Sequence, residues 1–442
     1  MTDMSRRQLL LSGAAFSAAP LFVGRAQAAD TDVVVVGAGA AGISAARSLK
    51  SRGYSVITIE ASGRIGGRIL TDTESFGVPF DMGASRLHNR ANNPFADYGI
   101  ANGFDIYRAP DETLMYVGDH PINQNEQAEL LLAQRKALQA MWRAGRNGLD
   151  VSPASVIPDL GNWSLTVDFL IGAYEIAKDL DSFSCVDWFS AEGGSDFYCR
   201  QGIGALFQHS AQDVAVQTDV TAEKIRWGGQ GVQVETSDGT LTAKAVVVTV
   251  STGVLASGDI QFDPPRPARK QEAIQELPMG HYFHVGLLLS ENIFGTSSDA
   301  YFNYKVEEEL NGSPKAFGAL TNAGGTGLCY FDMGGDFAKH LLEAGNNAAY
   351  DFVVSELKRM FGNQIEKYII ESNSYDWLHN PYTYGSYAAA KPGGFWARDE
   401  MSESIADRIW FAGEAMSPDD WSTIAGAHKS GITAAQEIAE TV

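Results

Sequence analysis

The chain is 442 residues long, 45% hydrophobic and 20% charged, which is ordinary globular composition with enough apolar residues for a large core and two domains. Its formal net charge of −21, from 33 Lys and Arg against 54 Asp and Glu, excludes nucleic acid as a partner and speaks against an anionic membrane, because phosphate binding needs clustered cations. The same excess of acid draws cationic ligands such as amines, although solubility alone accounts for it equally well.

The first informative segment is the N-terminus. Ser5-Arg6-Arg7-Gln8-Leu9-Leu10 opens a mild apolar stretch to Val23, followed by Arg25 and the small-residue site Ala26-Gln27-Ala28. Paired arginines, a modest apolar run and an AxA site form an export signal of the twin-arginine (Tat) type. The expectation is passage through the Tat export machinery with cleavage near Ala28, residues 1–28 being the signal peptide, and a periplasmic or secreted location. That route carries proteins already folded. The stretch is too short and too rich in Ala, Ser and Gly to span a bilayer, and nothing later is long and apolar enough, so no stable membrane insertion is expected.

Asp32-Val33-Val34-Val35-Val36-Gly37 then reads as a parallel strand buried on both faces. Gly37–Gly42 reads as a turn, Ile43–Arg52 as a helix and Tyr54–Ile59 as a second strand, a compact βαβ unit. Residues 110–200 are more helical, with Leu, Ala and Met at helical spacing over Gln124–Gly148. Residues 214–250 read as strands ending in Ala245–Val250, and Phe262-Asp263-Pro264-Pro265 closes that run. Arg408–Val442 is strand, glycine turn and helix. Sheet strands therefore recur near the start, middle and end. The expected class is α/β: a Rossmann-like nucleotide-binding domain assembled from separated segments 30–110, 200–265 and 377–442, with an α+β second domain from 111–199 and 266–376. Cys185, Cys199 and Cys329 form no CxxC pair and have no His at metal spacing, so no metal site is expected; a Cys185–Cys199 disulfide stays open.

Gly37-Ala38-Gly39-Ala40-Ala41-Gly42 is a GxGxxG between strand and helix. Its glycines permit the tight turn, the approach of backbone to a pyrophosphate and close helix–strand packing, and the helix N-terminus stabilises phosphate charge. Glu60 at the end of the second strand is placed to accept from a ribose, and disfavours NADP. The residues after it separate FAD from NAD. Glu60-Ala61-Ser62-Gly63-Arg64-Ile65-Gly66-Gly67-Arg68 offers adjacent glycines to a diphosphate, with Arg68 for charge-assisted contacts. Met82-Gly83-Ala84-Ser85, Gly413-Glu414 and Thr423-Ile424 are further small-residue or strand-end sites. One fingerprint serves NAD; several suit an extended FAD.

These motifs resemble those of the flavin amine oxidase family (monoamine oxidases, polyamine oxidases and bacterial relatives). The family pattern of GxGxxG, E-A-x-x-R-x-G-G-R, D-x-G-A, F-A-G-E and G-A-x-x-S-G matches at Gly37–Gly42, Glu60–Arg68, Asp81–Ala84, Phe411–Glu414 and Gly426–Gly431. Weaker matches lie at Gln201–Gly204, at Asp219-Val220, where backbone would meet adenine, and at Val250–Pro265. The resemblance implies FAD, hydride transfer from the carbon beside an amine nitrogen to flavin N5, and hydrolysis of the resulting imine to an aldehyde or ketone. It places Tyr387 in an aromatic cage before the flavin, Trp421 near the second cage position with spacing one residue short, and Trp377 near the flavin; packing is the alternative role for all three.

Three departures from the pattern matter. Ser386 stands where some relatives tether FAD through cysteine, so FAD should be non-covalent. His284 occupies the place of a lysine that holds a water near N5. A histidine neutral near pH 7 would slow reaction with oxygen, which leaves O2 or a periplasmic cytochrome or quinone as acceptor; a core histidine with no redox role is the alternative. Arg86-Leu87-His88-Asn89 replaces a W-I-H-G stretch: His88 faces the substrate, and Arg86 stands for an aromatic, pointing to a substrate carboxylate, to solvent or to FAD phosphate. The leading substrate is a small-molecule primary or secondary amine, including di- and polyamines. The alternative is an L-amino acid, oxidised by an oxidase or dehydrogenase with Arg86 or Arg200 as carboxylate clamp. A carbon–carbon desaturase, a non-catalytic flavin carrier and an NAD-dependent dehydrogenase rank lower.

Overall fold

A computed structural model describes residues 30–296, 298–345 and 347–442; the expected signal peptide lies outside them. Val33–Val36 is the inner strand of a parallel sheet ordered Val56–Ile59, Val33–Val36, Ala245–Val248, Ile409–Phe411. The four valines are 0–4% exposed because the two faces feed two cores. Val33 and Val35 pack with the first and last helices, Ala40–Ser51 and Ile424–Thr441, while Val34 and Val36 pack with Ile225, Val232 and Val234. A Cβ on Gly431 would fall 2.1 Å from the Ala41 carbonyl oxygen, so this glycine is what lets those two helices touch.

A mixed sheet of Ala222–Arg226, Val232–Thr236, Gly239–Ala243 and Gln261–Asp263 covers the second face. A larger sheet lies beyond it, with seven strands among the described residues. Tyr282–Leu289 and Leu328–Gly334 pair antiparallel as its second and third strands, and Ala300–Tyr304 runs parallel to Thr113–Val117. Helices Gly335–Ala344 and Ala348–Phe361 bury their apolar residues with this sheet. Gln124–Arg146, started by a capping box between Asn123 and Glu126, forms a helical layer with Ser164–Asp168 and Cys185–Ser190.

The local expectations differ from the structure mainly at element ends. The first helix begins at Ala40, inside the predicted turn, and the second strand spans only Val56–Ile59. The valine run stops at Val248, where the Thr249 hydroxyl donates to the Val36 and Gly37 carbonyls at 2.9 and 3.2 Å. Thr113–Val117, within a region expected to be helical, is a strand because its partner is Ala300–Tyr304. Cys185, Cys199 and Cys329 are free, buried thiols.

Candidate functional site

The strand ends of the parallel sheet open into a cavity of about 1550 Å³, larger than the roughly 300–1,000 Å³ of a site for one small ligand. It runs from Glu60 and Val220, past Gly39, Gly67 and Gly413, to Tyr282, Tyr301 and Tyr387.

At the first end the glycines divide into two kinds. Gly37 takes φ +102°, and a Cβ on Gly42 would fall 1.9 Å from the Gly37 carbonyl oxygen, so both are required by the turn itself. A Cβ on Gly39, Gly67 or Gly413 would meet nothing nearer than 3.9, 3.8 and 3.6 Å, although Gly67, at φ +56°, is also required by its turn. These three leave bare backbone along the cavity, and Gly39 caps the first helix without a side-chain acceptor for its orphan N–H groups. Ala41, Ala61, Gly66, Met82, Ala84, Ser85, Thr423 and Ile424 also line this part.

The charged groups here are mostly held by the protein. Glu60 accepts from the Ala38 N–H at 2.8 Å, and from the Ser62 N–H and hydroxyl at 3.0 and 2.7 Å, while the Val220 N–H donates to the Glu60 carbonyl at 2.9 Å. Arg64 lines the cavity and shapes the loop by donating to the Gly67 carbonyl at 2.7 Å. Arg68 Nη1 donates to Glu414 Oε1 and to the Ser386 carbonyl, both at 2.8 Å. Trp377, only 3% exposed, donates from Nε1 to the Met82 carbonyl at 2.9 Å, and a Cβ on Gly83 would fall 2.8 Å from its ring. It braces the Met82–Ser85 passage as a core residue with one edge on the cavity. A long, glycine-lined groove with a helix N-terminus at its middle and an acid at its sugar end fits FAD.

The other end is a wall of tyrosines around a charged cluster. Tyr387 packs against Tyr282 with centroids 5.9 Å apart at 48°, and its hydroxyl donates to the Glu175 carbonyl at 3.2 Å. His284 Nδ1 meets Asp332 Oδ1, and His284 Nε2 lies 3.0 Å from the Gly83 carbonyl. Each ring nitrogen thus faces an acceptor, an arrangement that favours the doubly protonated imidazole. Burial opposes that charge, but Asp332 and the Gly83 carbonyl outweigh it and hold His284 above its ordinary value. Both ring nitrogens are engaged by the protein, so neither is left to hold a water.

Arg86 points neither to solvent nor to the diphosphate region. Its Nη2 lies 3.5 Å from Asp332 Oδ2, and its guanidinium carbon sits 5.5 and 5.9 Å from the Tyr301 and Tyr174 ring centroids. Among the described residues its buried Nε has no partner, and neither has the buried Asn303 Oδ1 on the same cavity. Two cations thus share one carboxylate here. Arg200 is excluded as a clamp, because it pairs on the surface with Asp105 at 2.7 Å and stacks on Tyr107. His88 lines the cavity with Nδ1 2.9 Å from Asp196 Oδ1. Trp421 reaches the cavity with one edge but is 5% exposed, lies under Arg398 at 4.6 Å and donates to Ser190 Oγ at 3.3 Å, so its ring is largely core.

Tyr282, Tyr174, Tyr301 and Asp332 escaped sequence reasoning. For Asp332 the one usable signal is register, since it stands directly across from His284 in neighbouring strands. Thr249, which pins the first glycine turn, ends a valine run that reads only as strand.

The profile described as flavin containing amine oxidoreductase matches residues 40–439. Polyamine oxidase 4 of Oryza sativa subsp. japonica is 29% identical over 450 residues, spanning 93% of this chain and 89% of that protein. Polyamine oxidase 2 of Arabidopsis thaliana is 29% identical over 442 residues, spanning 92% and 87%. A solved putrescine oxidase, wild type bound to putrescine, superposes with a TM-score of 0.75 at 20% identity, covering 93% of this chain and 99% of that one, which establishes the shared two-domain fold. A match over nearly the whole described chain, on a groove built for FAD, places this protein in the flavin-containing amine oxidoreductase family, as an FAD-dependent amine-oxidising enzyme.

Proposed function

We propose that the enzyme oxidises a primary or secondary amine, di- and polyamines foremost, at the carbon beside nitrogen. FAD, when bound, accepts the hydride; the protein's task is to hold and desolvate the amine. The observation that carries this reading is the tyrosine wall of Tyr387 and Tyr282 with carboxylates about it. Glu175, Glu192, Asp196 and Asp419 all line the same cavity. Aromatic faces and carboxylates attract an ammonium group as it enters, and the low-dielectric wall favours its neutral, reactive form. The names of the two plant relatives support the polyamine class. The test is an anaerobic screen in which flavin absorbance is followed after each amine is added. Bleaching by diamines or polyamines is the expected result; failure of every amine and amino acid to bleach would refute it.

A second reading, an amine bearing a carboxylate, is favoured by Arg86. Its unpartnered Nε and the surplus positive charge beside Asp332 suit an anionic group and repel a second ammonium. Bleaching by amino acids alone would select it.

The electron acceptor, O2 or a periplasmic cytochrome or quinone, is read by reoxidising the bleached enzyme with air or cytochrome c. Non-covalent FAD is supported by Ser386, whose hydroxyl donates to the Gly280 carbonyl at 2.9 Å and offers no thiol; acid precipitation should release the yellow colour. Export by the Tat route rests on Arg6-Arg7 and Ala26-Gln27-Ala28, and Arg6→Lys/Arg7→Lys should hold the precursor inside the cell. The division into a FAD-binding part (30–110, 200–265, 377–442) and a substrate part (111–199, 266–376) belongs to the same reading, supported by the separate parallel and seven-stranded sheets.

A further inference from the structure

The helix Gln124–Arg146 turns one stripe inward and leaves another in water. Leu130, Ala133, Ala137, Met141 and Ala144 are buried. Leu131, Leu138 and Trp142, at i, i+7 and i+11, share an outward stripe and are 52%, 39% and 45% exposed. Phe189 sets its ring edge-on to Trp142 with centroids 6.1 Å apart and widens the stripe. Single exposed apolar residues need no explanation, but a row of large ones along one helix does.

The charge on this face is opposite to that of the molecule. Between Glu129 and Asp150 the chain carries no acid, and Arg135, Lys136, Arg143 and Arg146 are all exposed. Arg146 lies over the Trp142 ring, 4.9 Å from its centroid, so cation and indole are presented together. The helix's own acids are occupied at its start: Glu126 closes the capping box with Asn123, and Glu129 accepts from Trp163 Nε1 at 3.2 Å.

We propose that this face binds an anionic lipid surface, with the helix lying flat, Leu131, Leu138 and Trp142 entering the boundary between headgroups and acyl chains, and the four cations meeting lipid phosphates. Charge complementarity selects the anionic lipid, and an exposed helix that sets indole and leucines beside Arg and Lys has the make-up of an interfacial helix. The attachment is peripheral, as no described helix is long and apolar enough to cross a membrane. The overall charge of −21 opposes approach, but that repulsion decays over roughly 8 Å at physiological salt, and the docked face presents cations. Gln127, Leu130, Leu131 and Gln134 of the same helix line the cavity, so docking sets its mouth at the lipid surface, where amphiphilic cations concentrate. The inference does not depend on which amine is oxidised.

The test is flotation of the FAD-loaded enzyme with vesicles of phosphatidylglycerol and phosphatidylcholine, against vesicles of phosphatidylcholine alone. Binding should be about tenfold greater to the anionic vesicles and weaken as salt is raised. Leu138→Glu/Trp142→Glu should lose about tenfold in binding, and Arg135→Gln/Arg143→Gln should lose the preference for anionic lipid, both with unchanged flavin absorbance and turnover of a soluble amine. Should the first variant not fold, the second, altered only at exposed side chains, still decides. Absence of wild-type binding, or binding that neither variant weakens, overturns the proposal. So does a wild-type dimer without vesicle binding that Leu138→Glu/Trp142→Glu splits, which would make the face a contact between copies.

Discussion

Glu414 Oε1 lies 2.8 Å from Arg68 Nη1, joining two cavity-lining segments 346 residues apart in the chain. The same carboxylate accepts from the Ala388 and Ser422 N–H groups, both at 3.1 Å, and Glu414 is 5% exposed. It therefore ties the glycine loop at one end of the FAD groove to the neighbours of Tyr387 and Trp421 at the other. Glu414→Ala strands a guanidinium and two N–H groups, and should cost about 2–4 kcal/mol of stability. Thermal unfolding of the apoprotein and FAD retention on gel filtration should both fall, with Glu414→Gln intermediate.

The two kinds of glycine separate folding from cofactor binding. Gly39→Ala places a methyl in open cavity, 3.9 Å from its nearest neighbour, at a helix N-cap with φ −76°. Apoprotein stability should change by less than about 0.5 kcal/mol while FAD affinity drops roughly tenfold or more. Gly42→Ala drives its methyl to 1.9 Å from the Gly37 carbonyl oxygen, and should lower the melting temperature of the apoprotein itself. An FAD titration beside a melting curve for each variant distinguishes the outcomes.

Arg86→Gln removes a cation on the substrate cavity whose buried Nε has no partner among the described residues. If the substrate bears a carboxylate, its KM should rise about 10- to 100-fold with a smaller change in kcat. For a diamine or polyamine, KM should stay level or fall, since a repelling charge is gone. Steady-state kinetics on both substrate classes read the difference.

Glu175 gives the site a pH response. Burial pushes its carboxyl up to about 7, against the opposing pull of His88 and a hydrogen bond from Trp188. It is neutral below that pH and anionic above it, so attraction for an ammonium grows as pH rises through neutrality. kcat/KM for an amine should gain about two- to fivefold over this limb, modest because cavity water screens the charge. Glu175→Gln should erase the limb from the pH profile.

Asp332→Asn leaves His284 and Arg86 facing an uncharged amide and should destabilise the fold by about 3–5 kcal/mol. The contribution of His284, raised above its ordinary 6.5, is complete below that value and is lost as pH climbs through the raised one. That of Asp332, depressed below 3.8, is complete above 3.8 and is lost as pH falls. The gap between wild type and variant in denaturant melts should be widest between these two values and narrow above 6.5.

The sequence by itself determined the nucleotide-binding unit. Its glycines, valine strand and Glu60 lie within a short stretch, where turn sterics and strand periodicity act on neighbours along the chain. The scattering of parallel strands over three segments was legible for the same reason. Only the tertiary structure decided the chemistry at the far end. His284 and Asp332 are 48 residues apart and meet through strand register, and Arg86 reaches them from the FAD-binding loops. Trp421, which the resemblance placed near the second cage position, lines the cavity with its ring packed under Arg398 and bonded to Ser190, while Tyr282 packs against Tyr387. Local motifs carry their geometry with them. A side chain's charge and facing depend on which partners packing brings from elsewhere, and no spacing along the chain encodes that.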